Sequence, residues 1–321
     1  MTTFVARAPG KVFLTGEYVV LRGAPALVAA VDRYVTIRLE VGLGALEIES
    51  LAEDRRESVT EAELARVGAG DVGAVLAALR TVGFVGGRLT VDSRDGLLAG
   101  RKLGLGRSAA TLAAATAVLL AAGGERARPR VRAAALAANA DFQDGHGSGG
   151  DVAASVHGGV VEVRREKGEL VVSPITLPDE LQLVVGWTGE SAPTVPLVAR
   201  FATAERSPTL SELGTIAEAA AAAASAGDAD ALCAAVAGSA VLLARLGEEL
   251  GLPIVTPALR RLVDVAARLG AAAKPSGAGA GDCGIALVRS SQDAQRLHAA
   301  WQEAGITPLP VMLAREGVTV E

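Results

Sequence analysis

The chain has 321 residues, of which 50% are hydrophobic and 21% charged, and a formal net charge of −5. This length allows roughly two globular cores, and the acidic balance excludes binding to nucleic acid or anionic membrane through overall charge. Cys233 and Cys283 are the only cysteines, too few for a disulfide framework or a cysteine-rich metal site, and they suit a reducing cytoplasm.

In chain order, residues 4–41 predict strands. Val35, Ile37, Leu39 and Val41 alternate with Thr36, Arg38 and Glu40, the period of a half-buried strand. The N-terminus reaches Arg7 and Pro9-Gly10-Lys11 without a long apolar core, so no signal peptide is expected. Ala45–Glu49 and Arg88–Ser93 read as further strands. Between them Thr60 is a candidate cap for a helix with Glu61 and Glu63 in its first turn, and Asp71 is a candidate cap for another. The apolar run after Ser108 ends at Gly123-Gly124, too short for a bilayer, and predicts a buried helix. Pro129 starts a helical stretch that ends near Asp141, and Asp151–His157 predicts a short helix. Strands fit Gly159–Arg165, Glu169–Val172 and Leu181–Trp187. Pro196–Leu269 reads as almost wholly helical, with breaks at Gly227-Asp228 and Gly251-Leu252-Pro253. A strand at Ile285–Val288, a helix from Ser291 and a strand around Leu309–Leu313 complete the chain. This order predicts an α+β protein of two lobes, residues 1–180 and 181–321.

Four stretches combine glycine with polar groups. The first is Ala8-Pro9-Gly10-Lys11, where a lysine enters an apolar strand. It is either an inward cation that needs an anionic partner or an edge lysine facing water. The second, Lys102-Leu103-Gly104-Leu105-Gly106-Arg107-Ser108-Ala109-Ala110, runs from a glycine turn into a helix. Clustered backbone N–H groups, the helix dipole, a lysine and a hydroxyl together describe a polyphosphate cradle. Its Gly104-x-Gly106-x-x-Ala109 spacing also fits a loose dinucleotide fingerprint, but no acidic residue ends a strand about twenty residues later.

The third stretch is Gly145-His146-Gly147-Ser148-Gly149-Gly150-Asp151. Asp151 is either a helix cap or a carboxylate aimed at a group to be deprotonated, and His146 is either a phosphate contact or a surface or packing residue. No histidine–carboxylate spacing resembles a metal site. The fourth, Lys274-Pro275-Ser276-Gly277-Ala278-Gly279-Ala280-Gly281-Asp282-Cys283-Gly284, permits close backbone approach to a ligand beside a lysine. Lysine occurs only at Lys11, Lys102, Lys167 and Lys274, and three of these four fall in the glycine-bearing stretches.

Taken in order, APGKVFLTGEYVVL, GLGRSAA, GSGGDVAASVHGG and KPSGAGAGDCGIAL resemble the motifs of the galactokinase, homoserine kinase, mevalonate kinase and phosphomevalonate kinase (GHMP) superfamily, from Ala8 to about Val288. Within it the motifs are most similar to those of phosphomevalonate kinases, a match that also rests on Gly186-Trp187-Thr188-Gly189-Glu190-Ser191-Ala192-Pro193-Thr194. The resemblance implies a two-lobed GHMP-kinase-like fold with the active site in the cleft between the lobes. ATP would be held by Lys102 and by Gly104, Leu105, Gly106, Arg107, Ser108, Ala109 and Ala110, with Ser108 also a ligand of Mg²⁺. Lys11 and Asp151 would be catalytic: Asp151 orients or deprotonates the acceptor, and Lys11 pairs with Asp151 and the migrating phosphoryl group. His146, Ser148, Lys274, Ser276, Gly277 and Ala278 would line the acceptor side.

The implied reaction is ATP-dependent phosphorylation of 5-phosphomevalonate to 5-diphosphomevalonate by a cytoplasmic enzyme. Mevalonate kinase, or another small-alcohol kinase of the superfamily, is the alternative; a nucleotide-binding homologue without catalysis is a further one. The chain departs from the family pattern at Arg107, where the first serine of a Gly-Leu-Gly-Ser-Ser loop usually stands. Arg107 could reach a phosphate, fill space outside the loop, or crowd the triphosphate. No carboxylate lines up clearly as a second Mg²⁺ ligand, with Asp141 a nearby candidate.

Overall fold

The computed structural model describes residues 2–145, 147–190 and 207–321. His146 and residues 191–206, which hold the end of the Gly186–Thr194 motif and the start of the predicted helical stretch, lie outside the described residues. By contacts the chain forms two compact units assembled from separate stretches: residues 1–11, 30–158 and 314–321 in the first, and residues 12–29 and 159–313 in the second. The division at residue 180 is a single cut in the sequence. The contacts group the chain differently, because β1 (Thr3–Thr15) and β2 (Ala26–Val41) each run through both units.

The first unit orders its strands β14-β1-β2-β5-β3-β4, using β3 (Leu46–Ser50), β4 (Arg55–Val59), β5 (Gly87–Asp92) and β14 (Thr319–Val320). The alternation over Val35–Val41 pairs antiparallel with β5, Ile37 facing Val91 and Leu39 facing Leu89, whereas β3 and β5 run parallel. The apolar side of this sheet packs on helices α1 (Gly70–Val82), α2 (Arg107–Ala122) and α3 (Arg128–Phe142) in one core. α2 is an alanine-rich helix buried nearly all round, as its apolar run predicts. α4 (Gly150–His157) packs against α2 and α3. A small hairpin of β6 (Leu97–Leu98) and β7 (Arg101–Lys102) precedes the loop that enters α2.

In the second unit, β8 (Val160–Glu166) pairs with the Ala26–Ala29 part of β2 and with β9 (Glu169–Ile175). A second sheet runs β11-β12-β10-β13, from β10 (Gln182–Trp187), β11 (Ala272–Pro275), β12 (Cys283–Val288) and β13 (Thr307–Leu309). The helices are α5 (Pro208–Ala226), α6 (Ala229–Leu250), α7 (Pro257–Arg268) and α8 (Ser291–Glu303). α6 is long and apolar enough to cross a membrane by composition, but Leu242, Leu243 and Leu246 lie in a core with Leu210 and Leu213 of α5. Trp301 of α8 is fully buried, and its indole N–H donates to the Leu262 carbonyl at 3.0 Å. Strands and helices segregate rather than alternate, so the fold class is α+β.

Two local expectations change, and one strand is new. Thr60 and Glu63 form a reciprocal capping box, with the Thr60 N–H 2.9 Å from Glu63 Oε2, but it closes a single turn at Glu61–Glu63 and no longer helix. Asp71 is not the cap of α1; the helix is entered at Ala69, and Asp71 is buried within its first turn. β4, Arg55-Arg56-Glu57-Ser58-Val59, has the polar composition of an edge strand and carries little apolar signal.

Candidate active site

The loop ahead of α2 is held by its backbone. The Lys11 N–H donates to the Leu105 carbonyl at 2.7 Å, which draws the first lysine motif onto the second. Gly104 and Gly106 have φ of 76° and 77°. A Cβ on Gly106 would lie 2.7 Å from both Cγ and Cε of Lys11, so only glycine lets the lysine stem cross the helix start at this distance. Gly106 caps α2 without a side-chain acceptor, which leaves the N–H groups of its first turn for another partner. Ser108, Ala109 and Ala110 follow in that turn, with Ser108 partly exposed and Ala109 and Ala110 buried. Lys102 is exposed at the end of β7.

This is a fitting cradle for a polyphosphate: a helix N-terminus, two left-handed glycines and a partly exposed lysine. Among the described residues no group of three or more His, Cys, Asp or Glu is placed to hold a metal ion. The partly exposed Ser108 hydroxyl at the start of α2 is an oxygen donor of the kind Mg²⁺ takes beside phosphate oxygens and water. Asp141 is bound by Arg80, whose Nε donates to Asp141 Oδ2 at 2.8 Å.

Arg107 turns to acidic neighbours. Its Nη2 donates to Glu53 Oε1 at 2.8 Å, and its Nε lies 3.9 Å from Asp71 Oδ1. Asp71 in turn accepts from the Ser50 and Ser93 hydroxyls at 2.7 and 2.6 Å. Its carboxylate is buried but well supplied with donors.

The third motif turns at Gly149, with φ of 79°, into α4. Ser148 Oγ accepts the Gly150 N–H at 3.2 Å, and both Ser148 and Asp151 are partly exposed. Asp151 lies within the first turn of α4, two places beyond the cap at Gly149, and its Oδ1 accepts from the Val152 N–H at 3.0 Å. A carboxylate at this place interacts favourably with the helix dipole. Since α4 packs on α2, the first unit collects Lys11, the glycine loop and the helix that bears Asp151.

In the second unit the fourth motif is clamped by residues from the end of β1. Lys274 is fully buried, and its ammonium donates to a Glu17 carboxylate oxygen and, at 2.6 Å, to the Pro275 carbonyl. The same Glu17 oxygen accepts the Gly277 N–H at 3.2 Å. Ser276 Oγ accepts the Phe13 N–H at 2.8 Å, and the Tyr18 hydroxyl donates to the Ala278 carbonyl. Burial, and then the Glu17 charge, push the Tyr18 phenol far above its ordinary range, so it remains a proton donor. Asp282 meets the Gly186–Glu190 stretch: its carbonyl accepts the Thr188 N–H at 2.9 Å, and its own N–H donates to the Glu190 carbonyl at 2.8 Å.

Sequence reasoning therefore assembles the glycine loop with Lys11, but passes over Glu53, Asp71 and Glu17 as site-shaping groups. Glu17 carried a signal, an acidic residue beside Gly16 in an otherwise apolar stretch, whereas Glu53 carried none.

Known proteins resemble this chain over its whole length. Residues 217–307 match the family described as "GHMP kinases C terminal". A phosphomevalonate kinase from a Streptomyces species is 34% identical over 373 aligned positions, covering 98% of each chain. A mevalonate kinase from Pyrococcus furiosus is 30% identical over 358 positions, covering 99% of this chain and 98% of the relative. Among solved structures, the phosphomevalonate kinase of Streptococcus pneumoniae in complex with phosphomevalonate and AMPPNP shares the fold, with a TM-score of 0.82 at 23% identity over 96% of this chain and 99% of that one. With its kinase motifs in place and its likeness running end to end, the chain belongs to the GHMP kinase family, among the phosphotransferases related to phosphomevalonate kinase.

Proposed function

We propose that this kinase transfers the γ-phosphoryl group of ATP to the phosphate of 5-phosphomevalonate, giving ADP and 5-diphosphomevalonate. The full-length likeness to a phosphomevalonate kinase carries the choice of acceptor. In the transfer, an oxygen of the acceptor phosphate bonds to the γ-phosphorus as the bond to the β–γ bridging oxygen breaks. ATP with Mg²⁺ supplies the phosphoryl group and neutralises part of its charge when bound.

The chain's own part is alignment and charge. Gly104–Ala110 offers backbone donors to the phosphates, with Lys102 nearby in sequence and Ser108 as the hydroxyl for Mg²⁺. Lys11, its stem lying along Gly106, is the cation for the migrating group. The acceptor oxygen is already ionised at neutral pH, so Asp151 serves to orient more than to deprotonate. The family resemblance assigns acceptor contacts to Ser148, His146, Ser276, Gly277 and Ala278, an expectation that rests on their motifs. Lys274, buried against Glu17, acts there by shaping the turn.

The likeness to a mevalonate kinase favours a second reading, in which Asp151 handles a neutral hydroxyl. The non-catalytic reading rested on Arg107, and that residue's bond to Glu53 weakens it. A reducing cytoplasm is the compartment that suits a chain with only two cysteines. Phosphorus NMR of the product tests the acceptor: a new diphosphate resonance pair supports the first reading, and a single phosphomonoester from mevalonate supports the second.

A further inference from the structure

Arg107 departs from the family pattern at the first residue of α2, where its side chain is only 12% exposed. Three elements of the first unit meet around it. Glu53, in the turn between β3 and β4, accepts from Arg107 Nη2 at 2.8 Å and also from the Asp71 N–H at 3.1 Å. Asp71, in the first turn of α1, lies 3.9 Å from Arg107 Nε and is anchored by Ser50 and Ser93. Thr111, one turn into α2, has its hydroxyl 3.2 Å from Asp71 Oδ1 and 3.0 Å from the Arg107 carbonyl. The arginine stem also covers Gly96, where an added Cβ would meet three of its carbons at 3.5–3.6 Å. Glu53 and Arg107, with Gly70 and Lys102, line a cavity of about 390 Å³ beside the loop.

We propose that Arg107 is a positioning residue: held by Glu53 beside Asp71, it fixes the first turn of α2 so that the backbone N–H groups there meet a nucleotide phosphate, and it does not itself contact that phosphate. The inference rests on reading Gly104–Ala110 as the ATP loop. A helix-start anion site works through donors whose directions are set before the ligand arrives, and small errors of placement weaken it. A guanidinium held to a carboxylate by a charge-assisted bond has less freedom to swing toward a phosphate. The acidic pair thus turns an extra cation, which could crowd the loop, into a brace for it.

The test is equilibrium binding of AMPPNP with Mg²⁺, measured by calorimetry on wild type, Arg107→Gln, Arg107→Lys, Glu53→Gln and the Arg107→Gln/Glu53→Gln pair. Urea unfolding without nucleotide checks that each variant folds. Arg107→Gln and Glu53→Gln should each weaken binding about fivefold, and the double variant no more than either single one, because the two act as one unit. Arg107→Lys should recover part of the loss, and the KM for ATP should rise while the KM for the acceptor stays put. If Glu53→Gln tightens binding or leaves it unchanged while Arg107→Gln weakens it, Arg107 is a phosphate ligand and the proposal is overturned. Wild-type binding that neither substitution alters also overturns it. Absence of nucleotide binding by the wild type would instead remove the ATP reading, and this inference with it.

Discussion

Lys11 and Lys274 each stand beside a glycine-rich turn, one in each contact unit, and in the sequence they look alike. Lys11 is partly exposed, its stem against Gly106 at the start of a helix. Lys274 is fully buried, with its ammonium bound to Glu17 and the Pro275 carbonyl. The difference teaches that a lysine in a phosphate-type motif can serve in two ways. We propose that one supplies charge to a ligand at the helix start, and that the other uses its charge to set the shape of the turn.

The strongest way to break this comparison is Lys274→Met. It leaves the Glu17 carboxylate buried without its cation, which should cost about 3–5 kcal/mol in urea unfolding. The Lys274→Met/Glu17→Gln pair should recover much of that loss. A small stability change joined to a large rise in acceptor KM would instead make Lys274 a substrate ligand.

Next, Lys11→Met should fold with stability within about 1 kcal/mol of wild type but lose turnover by about 10²–10³-fold, as for removal of a charge-stabilising donor. Near-normal turnover in Lys11→Met, with Asp151→Asn down by about 10²–10⁴-fold, would favour general-base chemistry instead.

Gly106→Ala should have a smaller effect. Its methyl would meet the Lys11 stem at 2.7 Å, and its φ of 77° is one that a residue with a Cβ adopts only under strain. Strain of about 1–2 kcal/mol should appear as roughly tenfold weaker ATP binding, read by calorimetry.

The smallest effect concerns pH. Burial first, and then the charges of Arg132 and Arg128, hold the His157 imidazole below its ordinary value. The unfolded chain therefore binds the proton more readily, and stability falls as pH drops through the ordinary histidine range near about 6.5. His157→Gln should flatten that part of the urea-midpoint profile, and an unchanged slope would count against it.

Much of the fold was legible because its signals are local. The alternation over Val35–Val41 and the apolar run after Ser108 depend only on near neighbours, and they became β2 and α2. The polar stretch Arg55–Val59 was not legible, since it is a strand only because β3 lies beside it. Asp71 read as a cap because aspartate favours helix starts, yet hydroxyls 21 and 22 residues away make it a buried anchor. In the site, the residues of the glycine loop and Lys11 stood out as motifs, and the family resemblance, not their spacing, supplied their expected roles. The partners of Arg107 and Lys274 could not, because they lie 54 and 257 residues away and are set by tertiary packing.

The proposed reaction is read out by ADP release from the purified wild-type chain with ATP and Mg²⁺. One ADP should form per 5-phosphomevalonate supplied, and none with mevalonate. ADP formed with mevalonate, and none with 5-phosphomevalonate, would contradict it.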